Sequence, residues 1–356
     1  MPLRHDHTSR ARQPRTVPLP SVGVEITTVA DDLIVAHDGI TVERHDGLRP
    51  DTTYHVGGDA VTTLARPTGA LLCRFATVND VHFGEVEAGR LDDSALGPIV
   101  RAGDDEAPYP ETMNRAAVDE MQAADVAAVI VKGDLSEDGR PEEWAAFEAC
   151  YRTAFGARLH VVRGNHDGYH RQHEYAGDEW IALPGVAVAL LDTVTPGETG
   201  GRILPEQLDW LDARAAASDT PVVVMGHHQQ SMGWHRDGVV FGLDPDSSAA
   251  LDAVAARRPA IVAYAAGHTH RHRHRRMKLS GIPSIEVGCV KDFPGTWAEY
   301  RVHEGGMLQV VHRMSSPAAL AWSERCRHLY ADFGLDYEEY ALGTLADRCF
   351  AIEWRT

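Results

Sequence analysis

The stretch AAGHTHRHRHRR, from Ala265 to Arg276, sets histidine at every second position four times, at His268, His270, His272 and His274. Four other short stretches carry side chains of related chemistry. FATVNDVH offers Asp80 and His82, VIVKGDLSEDG offers Asp134, HVVRGNHDG offers Asn165, His166 and Asp167, and VVVMGHHQ offers His227 and His228. Together they supply carboxylate, amide oxygen and imidazole, with no thiolate. That donor set suits Mn, Fe, Zn or similar ions in mixed nitrogen and oxygen coordination, and not calcium or an iron–sulfur cluster. Each stretch alone has an ordinary alternative: a turn aspartate beside a surface histidine, a helix cap, a loop, or exposed strand residues. Their joint occurrence, each after a buried apolar run, is what points to a site.

Those runs indicate how the donors are brought together. LLCRFATV, VAAVIVK, LHVVR, VAVALLD, PVVVM, AIVAYAA and SIEVG are rich in β-branched residues and predict buried strands. Between them, ETMNRAAVDEMQAA, PEEWAAFEACYRTAF, PEQLDWLDARAAA and DSSAALDAVAARR predict helices, with Pro141 in a first helical turn. Such alternation means an α/β fold with largely parallel strands. The carboxyl ends of such strands converge on one crevice, where ligands sit.

Residues 1–20 read as a flexible tail without the apolar run of a secretory signal. Residues 21–69 read as a small β-rich extension, 70–315 as a catalytic domain, and 316–356 as a C-terminal helix and strand packed on the core. In that last segment Ser316 is the expected cap, Pro317 the first turn and Gly334 the helix stop. A formal net charge of −18 argues against long nucleic acid or an anionic membrane as partner. A small anionic substrate remains compatible, because screening confines the repulsion to about 8 Å at physiological salt. Five cysteines spread without a CxxC spacing predict reduced thiols in a cytoplasmic protein. No stretch reaches the ~20 apolar residues that span a bilayer.

The five blocks, in this order, resemble the signature of the calcineurin-like metallophosphoesterases: D-x-H, G-D, G-N-H-D/E, a strand-end histidine and G-H-x-H. The resemblance covers about Ala70 to Arg313. The branch of bacterial cyclic-nucleotide phosphodiesterases is the most similar, on the strength of GDLSEDGRPEEWAAF and LDTVTPGETGGRILPEQLDWLDARAA. It implies a two-sheet β-sandwich core flanked by helices, with the β-rich segment as an addition. It also implies two divalent or trivalent ions (Mn, Fe or Zn) that activate a bridging water for attack on a small phosphoester. Carried over by position, one ion falls to Asp80, His82, Asp134 and His270, the other to Asp134, Asn165, His227 and His268. His166 is then the general acid toward the leaving oxygen, and Asp167 its orienting partner. The expected substrate is a phosphodiester such as a cyclic nucleotide. A phosphomonoesterase, a glycerophosphodiesterase or a nucleotide pyrophosphatase is the alternative on the same site, and an inactive metal-binding scaffold a further one.

Three departures stand out. Glu137 occupies the position where purple acid phosphatases carry a tyrosinate, so no ferric–tyrosinate chromophore is expected. The strand-end histidine lacks the usual following prolines; His227 is taken as the ligand and His228 as a neighbour. A long acidic loop follows the first block, a place where loops gate or shape a site. His272 and His274 are read as a solvated strand running past the crevice, and His235 as an ordinary loop histidine.

Overall fold

The computed structural model describes residues 24–91, 94–231 and 241–355. The tail and His235 lie outside these described residues. In chain order the strands are β1 (Glu25–Val29), β2 (Leu33–Asp38), β3 (Thr41–Asp46), β4 (Thr53–Val56), β5 (Asp59–Thr62), β6 (Leu71–Val78), β7 (Val129–Lys132), β8 (Leu159–Val162), β9 (Glu179–Leu183), β10 (Val186–Leu191), β11 (Val222–Gly226), β12 (Ile261–Ala266), β13 (Arg273–Arg276), β14 (Pro283–Glu286), β15 (Thr296–His303), β16 (Gly306–Arg313) and β17 (Phe350–Glu353).

Two six-stranded sheets form the centre, ordered β17-β16-β15-β6-β7-β8 and β13-β14-β12-β11-β10-β9. In the first, β6, β7 and β8 run parallel; in the second, β10, β11, β12 and β14 do. All seven apolar runs fall on these seven strands. They are buried because both faces are covered: the sheets pack on one another and helices cover their outer faces. Between the sheets sit Phe75, Ile130, Val188, Met225, Ala265 and Val302, and the Phe75 ring stacks on Tyr300 with centroids 4.7 Å apart. Outside the first sheet lie the helices Tyr109–Ala123, Pro141–Phe147 and Pro317–Arg325; outside the second lie Pro205–Ala216 and Pro245–Arg257. Each fully buried aliphatic side chain of these layers contributes roughly 1.5–3 kcal/mol relative to exposure.

The β-rich segment forms the three-stranded sheet β1-β2-β3 and the hairpin β4-β5. Val29, Leu33 and Ile34 pack against Leu308 and Val310 of β16, and the Thr28 hydroxyl donates to the Val311 carbonyl at 2.8 Å.

Two expectations are corrected here. The C-terminal helix has its Ser316 cap, whose Oγ accepts from Ala319 N at 3.3 Å, but it ends at Arg325 and not near Gly334. Tyr330 takes a left-handed backbone at φ 63°, and Asp332 N donates to the Gly97 carbonyl, so the chain turns toward the acidic loop. Gly334 closes a short 3-10 turn over Ala331–Phe333 instead. The histidine repeat is likewise not one strand. His268 and His270 have φ of 69° and 54°, and strand structure begins only at Arg273, so of the four histidines only His274 lies on a strand. His272 is 2 % exposed, accepts from Gly288 N (3.1 Å) and sits 3.2 Å from Thr296 Oγ1. His274 is half-buried and stacks on Phe350 at 4.0 Å. Neither is solvated.

Candidate metal centre

The donors named from sequence leave five parallel strands at their carboxyl ends. β6 leads to Asp80 and His82, β7 to Asp134, β8 to Asn165 and His166, β11 to His227, and β12 to His268 and His270. The loops that receive them are unusually tight. Asp80, His82, Asp134, His268 and His270 are five of the ten non-glycine residues with positive φ among the described residues. Backbone strain of this kind, of order 1–3 kcal/mol each, persists only where surrounding structure enforces it. The motif glycines have a steric cause: a Cβ on Gly164 would run into the Asp134 carboxylate, and one on Gly133, at φ +87°, into the His227 ring.

The side chains converge. Asp134 Oδ2 lies 3.4 Å from His82 Nε2 and 3.3 Å from His227 Nε2. His227 Nε2 is 3.0 Å from Asn165 Oδ1 and 3.2 Å from His268 Nδ1. His270 Nε2 lies 3.5 Å from Asp80 Oδ1, and His268 N donates to both Asp80 oxygens at 3.1 Å. Donor atoms of Asp80, His82 and His270 fall within 4.8 Å of one another, as do those of Asp80, Asp134 and His227. Asp134 is held well below the usual carboxylate range: burial opposes this, but the imidazoles of His227, His166 and His82 outweigh it. Burial also opposes a charge on His82, yet its carboxylate neighbours Asp134 and Glu137 raise it to about 10.

Partners behind the donors aim them. His227 Nδ1 donates to the Lys132 carbonyl at 2.8 Å, which leaves Nε2 facing the cluster. His82 Nδ1 is 2.8 Å from Glu137 Oε2, and His270 Nδ1 is 3.7 Å from Asp292 Oδ2. Asn165 Nδ2 donates to Tyr169 Oη at 2.7 Å, turning the amide oxygen inward. These are the outer contacts that fix the tautomer of a metal-binding imidazole. The donor set also leaves room for cations. The buried Nε2 atoms of His82 and His268 have no hydrogen-bond partner, a costly state for a buried polar atom unless something else satisfies it.

The neighbours sort themselves by the same criterion. His228 is fully buried and its ring lies 4.9 Å from that of His227, but Nε2 donates to the Thr199 carbonyl (3.1 Å) and Nδ1 accepts from the Thr193 hydroxyl (2.8 Å). Burial and the adjacent His227 pull its pKa down to about 3. Neither ring nitrogen is spare. Asp167 is placed differently from expectation. Its carboxylate accepts from Leu135 N, Ser136 N, Ser136 Oγ, Gly164 N and Trp144 Nε1, locking the loops after β7 and β8 together. It does not orient His166. That ring is held by Glu137, whose carbonyl accepts from His166 Nδ1 at 2.7 Å, while His166 N donates to Asp134 Oδ1 at 3.0 Å.

This geometry coincides with a family match over residues 73–272, to the calcineurin-like phosphoesterases. The chain belongs to that family. A probable cyclic nucleotide phosphodiesterase of Synechococcus is 31% identical over 106 residues, covering 28% of this chain and 41% of that protein. A Mycobacterium tuberculosis protein named as a cAMP/cGMP dual specificity phosphodiesterase is 28% identical over 114 residues, covering 28% of this chain and 36% of its own length. The aligned part is thus about two fifths of each relative. Among solved structures, a dimetal phosphatase from Danio rerio shares the fold, with a TM-score of 0.51 at 16% identity over 68% of this chain and 97% of that one.

In this calcineurin-like phosphoesterase five of the donors, His82, Asp134, Asn165, His268 and His270, line the floor of a cleft of ≈ 340 Å³. Several of its residues were not singled out from sequence. Glu137 was noted only for not being tyrosine, although it touches both His82 and His166. Lys291 and Glu85 form a buried ion pair at the wall, with Glu85 coming from the acidic loop. Tyr330, Phe333, Leu335, Tyr337 and Tyr340 come from the C-terminal segment. No cleft-lining residue comes from 24–69. Among the described residues no helix is long and apolar enough to cross a membrane.

Proposed function

We propose that this cleft hydrolyses a small phosphoester, a phosphodiester such as a cyclic nucleotide, with two metal ions. Asp80, His82, Asp134 and His270 would hold one ion, and Asp134, Asn165, His227 and His268 the other. Such ions, of Mn, Fe or Zn, supply Lewis acidity: they offset phosphoryl charge and make water a stronger acid. The observation that carries this reading is the convergence of two buried carboxylates with imidazole nitrogens that have no partner in the protein. The names of the aligned relatives favour a diester over a monoester.

The chain's own groups then have distinct tasks. Asp134 sits between His82 and His227 and serves both halves of the cluster. His166 has Nδ1 engaged with the Glu137 carbonyl, so Nε2 is the nitrogen left for substrate, and the side chain is 25% exposed at the cleft. A protonated His166 delivers its Nε2 proton to the leaving oxygen as the P–O bond breaks, which avoids expelling a free alkoxide. Glu137 positions both His82 and His166, and so couples the donor cluster to the acid. Glu137 is itself kept ionised: burial opposes, but the His82 contact lowers its pKa to about 2.

The test is a pair of substrates with Mn present. The chain should cleave bis-p-nitrophenyl phosphate faster than p-nitrophenyl phosphate. The reverse order would assign a monoesterase, and cleavage of neither would remove the enzymatic reading.

A further inference from the structure

The floor of the cleft accounts for a phosphate, but not for the rest of the space. Four of the eleven large apolar side chains that remain exposed among the described residues line this one cleft: Leu91, Phe241, Phe333 and Leu335. Phe333 is 40% exposed and Leu335 37%. Scattered single exposed apolar residues need no explanation, but a cluster beside a polar site does. The cluster continues an aromatic series. The rings of Phe333 and Tyr330 are 6.4 Å apart, Tyr330 and Tyr337 5.1 Å, and Tyr337 and Tyr340 6.1 Å. All four rings fall within residues 330–340, beyond the stretch matched to the family.

This wall is built into place. Tyr337 Oη donates to Asp292 Oδ1 at 2.8 Å and Tyr340 Oη to the Thr269 carbonyl at 3.0 Å, so the loops beside His270 carry the segment. His272 N donates to the Ala341 carbonyl at 3.0 Å. On the far side Gly97 N donates to Asp332 Oδ2 at 3.0 Å, joining the segment to the acidic loop that supplies Leu91. Tyr337 is itself buried and backs the wall, while Tyr330 and Tyr340 are partly exposed; with the Tyr340 hydroxyl already used, what Tyr340 leaves for a ligand is ring surface. The turn that presents the wall contains Tyr330 in a left-handed conformation, a strained state for a bulky residue.

We propose that residues 330–340, with Leu91, bind the organic group of the phosphoester, and that this group carries a flat unsaturated ring. The inference rests on the phosphoesterase reading of the donor floor and adds the other half of the substrate. The cleft volume of ≈ 340 Å³ lies at the small-molecule end of ligand sites. Its polar floor is continuous with the apolar wall, so one molecule spans both: charge below, ring beside. A pre-formed wall limits the ordering cost of binding.

The experiment compares 2-naphthyl p-nitrophenyl phosphate with methyl p-nitrophenyl phosphate, which share a leaving group and differ only in the retained group. With Mn and the full chain, kcat/KM should favour the naphthyl ester. The double variant Phe333→Ala/Leu335→Ala should lower that preference ratio at least about fivefold, the scale of one lost stacking contact. Leu279→Ala, exposed and away from the cleft, should keep the ratio. A ratio unchanged in the double variant overturns the wall. Calorimetric titration with methyl 2-naphthyl phosphate and dimethyl phosphate separates the two readings. Naphthyl binding that the double variant loses, without turnover of either nitrophenyl ester, keeps the wall and removes the phosphoesterase. Turnover without naphthyl preference does the opposite.

Discussion

His227 and His228 are adjacent, both fully buried, with rings 4.9 Å apart, and a composition count does not separate them. The protein does. His228 has both nitrogens bonded to Thr193 and Thr199, whereas His227 uses one on a backbone carbonyl and aims the other at Asp134, Asn165 and His268. The repeat after β12 divides in the same way. His268 keeps a buried Nε2 without a partner, while His272 sits between Gly288 and Thr296 with both nitrogens occupied. What distinguishes a candidate ligand from a core histidine is therefore neither burial nor spacing, but a ring nitrogen left facing other donors; His37, His274 and His303 also keep a buried nitrogen without a partner, but outside any such group.

The largest effect is expected at the centre of the cluster. Asp134→Asn removes the carboxylate shared by both halves of the cluster, and hydrolysis should fall to background together with loss of bound metal. Chelator treatment of the wild type should do the same, with recovery on adding Mn. Next in size is His166→Ala, which should keep its metal and lose about 10²-fold or more in turnover of an ester with a poor leaving group. With p-nitrophenolate as leaving group the loss should be much smaller, since that oxygen needs little protonation. Wild-type rates on both esters would contradict the acid assignment.

Glu137→Gln should have an intermediate effect. The amide can still contact His82 but no longer offers a charge, and metal affinity should weaken by about tenfold to 100-fold, read by titration with Mn. The smallest expected effect on activity is at the structural histidines. His272→Ala leaves Gly288 N without its acceptor and Thr296 Oγ1 with only the Gly288 carbonyl, so unfolding should become easier by about 1–3 kcal/mol in denaturant titrations. Its metal content should match the wild type. A loss of ion there would erase the distinction drawn above.

Much of this was legible in the sequence, for definable reasons. The seven parallel strands are continuous apolar runs because both faces are covered, and their abrupt polar endings mark the crevice. The hairpin β15–β16 is harder to read. Glu299, Arg301, Gln309 and Arg313 interrupt its apolar pattern yet are buried: Arg301 pairs with Glu299, Asp31 and Asp32, Arg313 with Glu324, and Gln309 bonds the Tyr300 hydroxyl and the Arg348 carbonyl. A buried polar residue with distant partners looks like a surface residue until the fold is known, which is why His272 was assigned to solvent. Asp167 shows the reverse case: its place in the GNHD block is plain, but whether it serves the loop or the imidazole depends on contacts with Leu135, Ser136 and Trp144. The aromatic wall was hidden because residues 326–333 read as a continuing helix that stops at Gly334, whereas the chain turns at Tyr330 and brings its rings to the cleft.

The claim on which the account turns is that one histidine of the 227–228 pair holds metal and the other does not. Elemental analysis of purified, dialysed protein supplied with Mn tests it directly. About two ions per chain are expected in the wild type and in His228→Gln, and fewer in His227→Ala. A His227→Ala protein with the full complement, or a wild type that holds no metal, would contradict it.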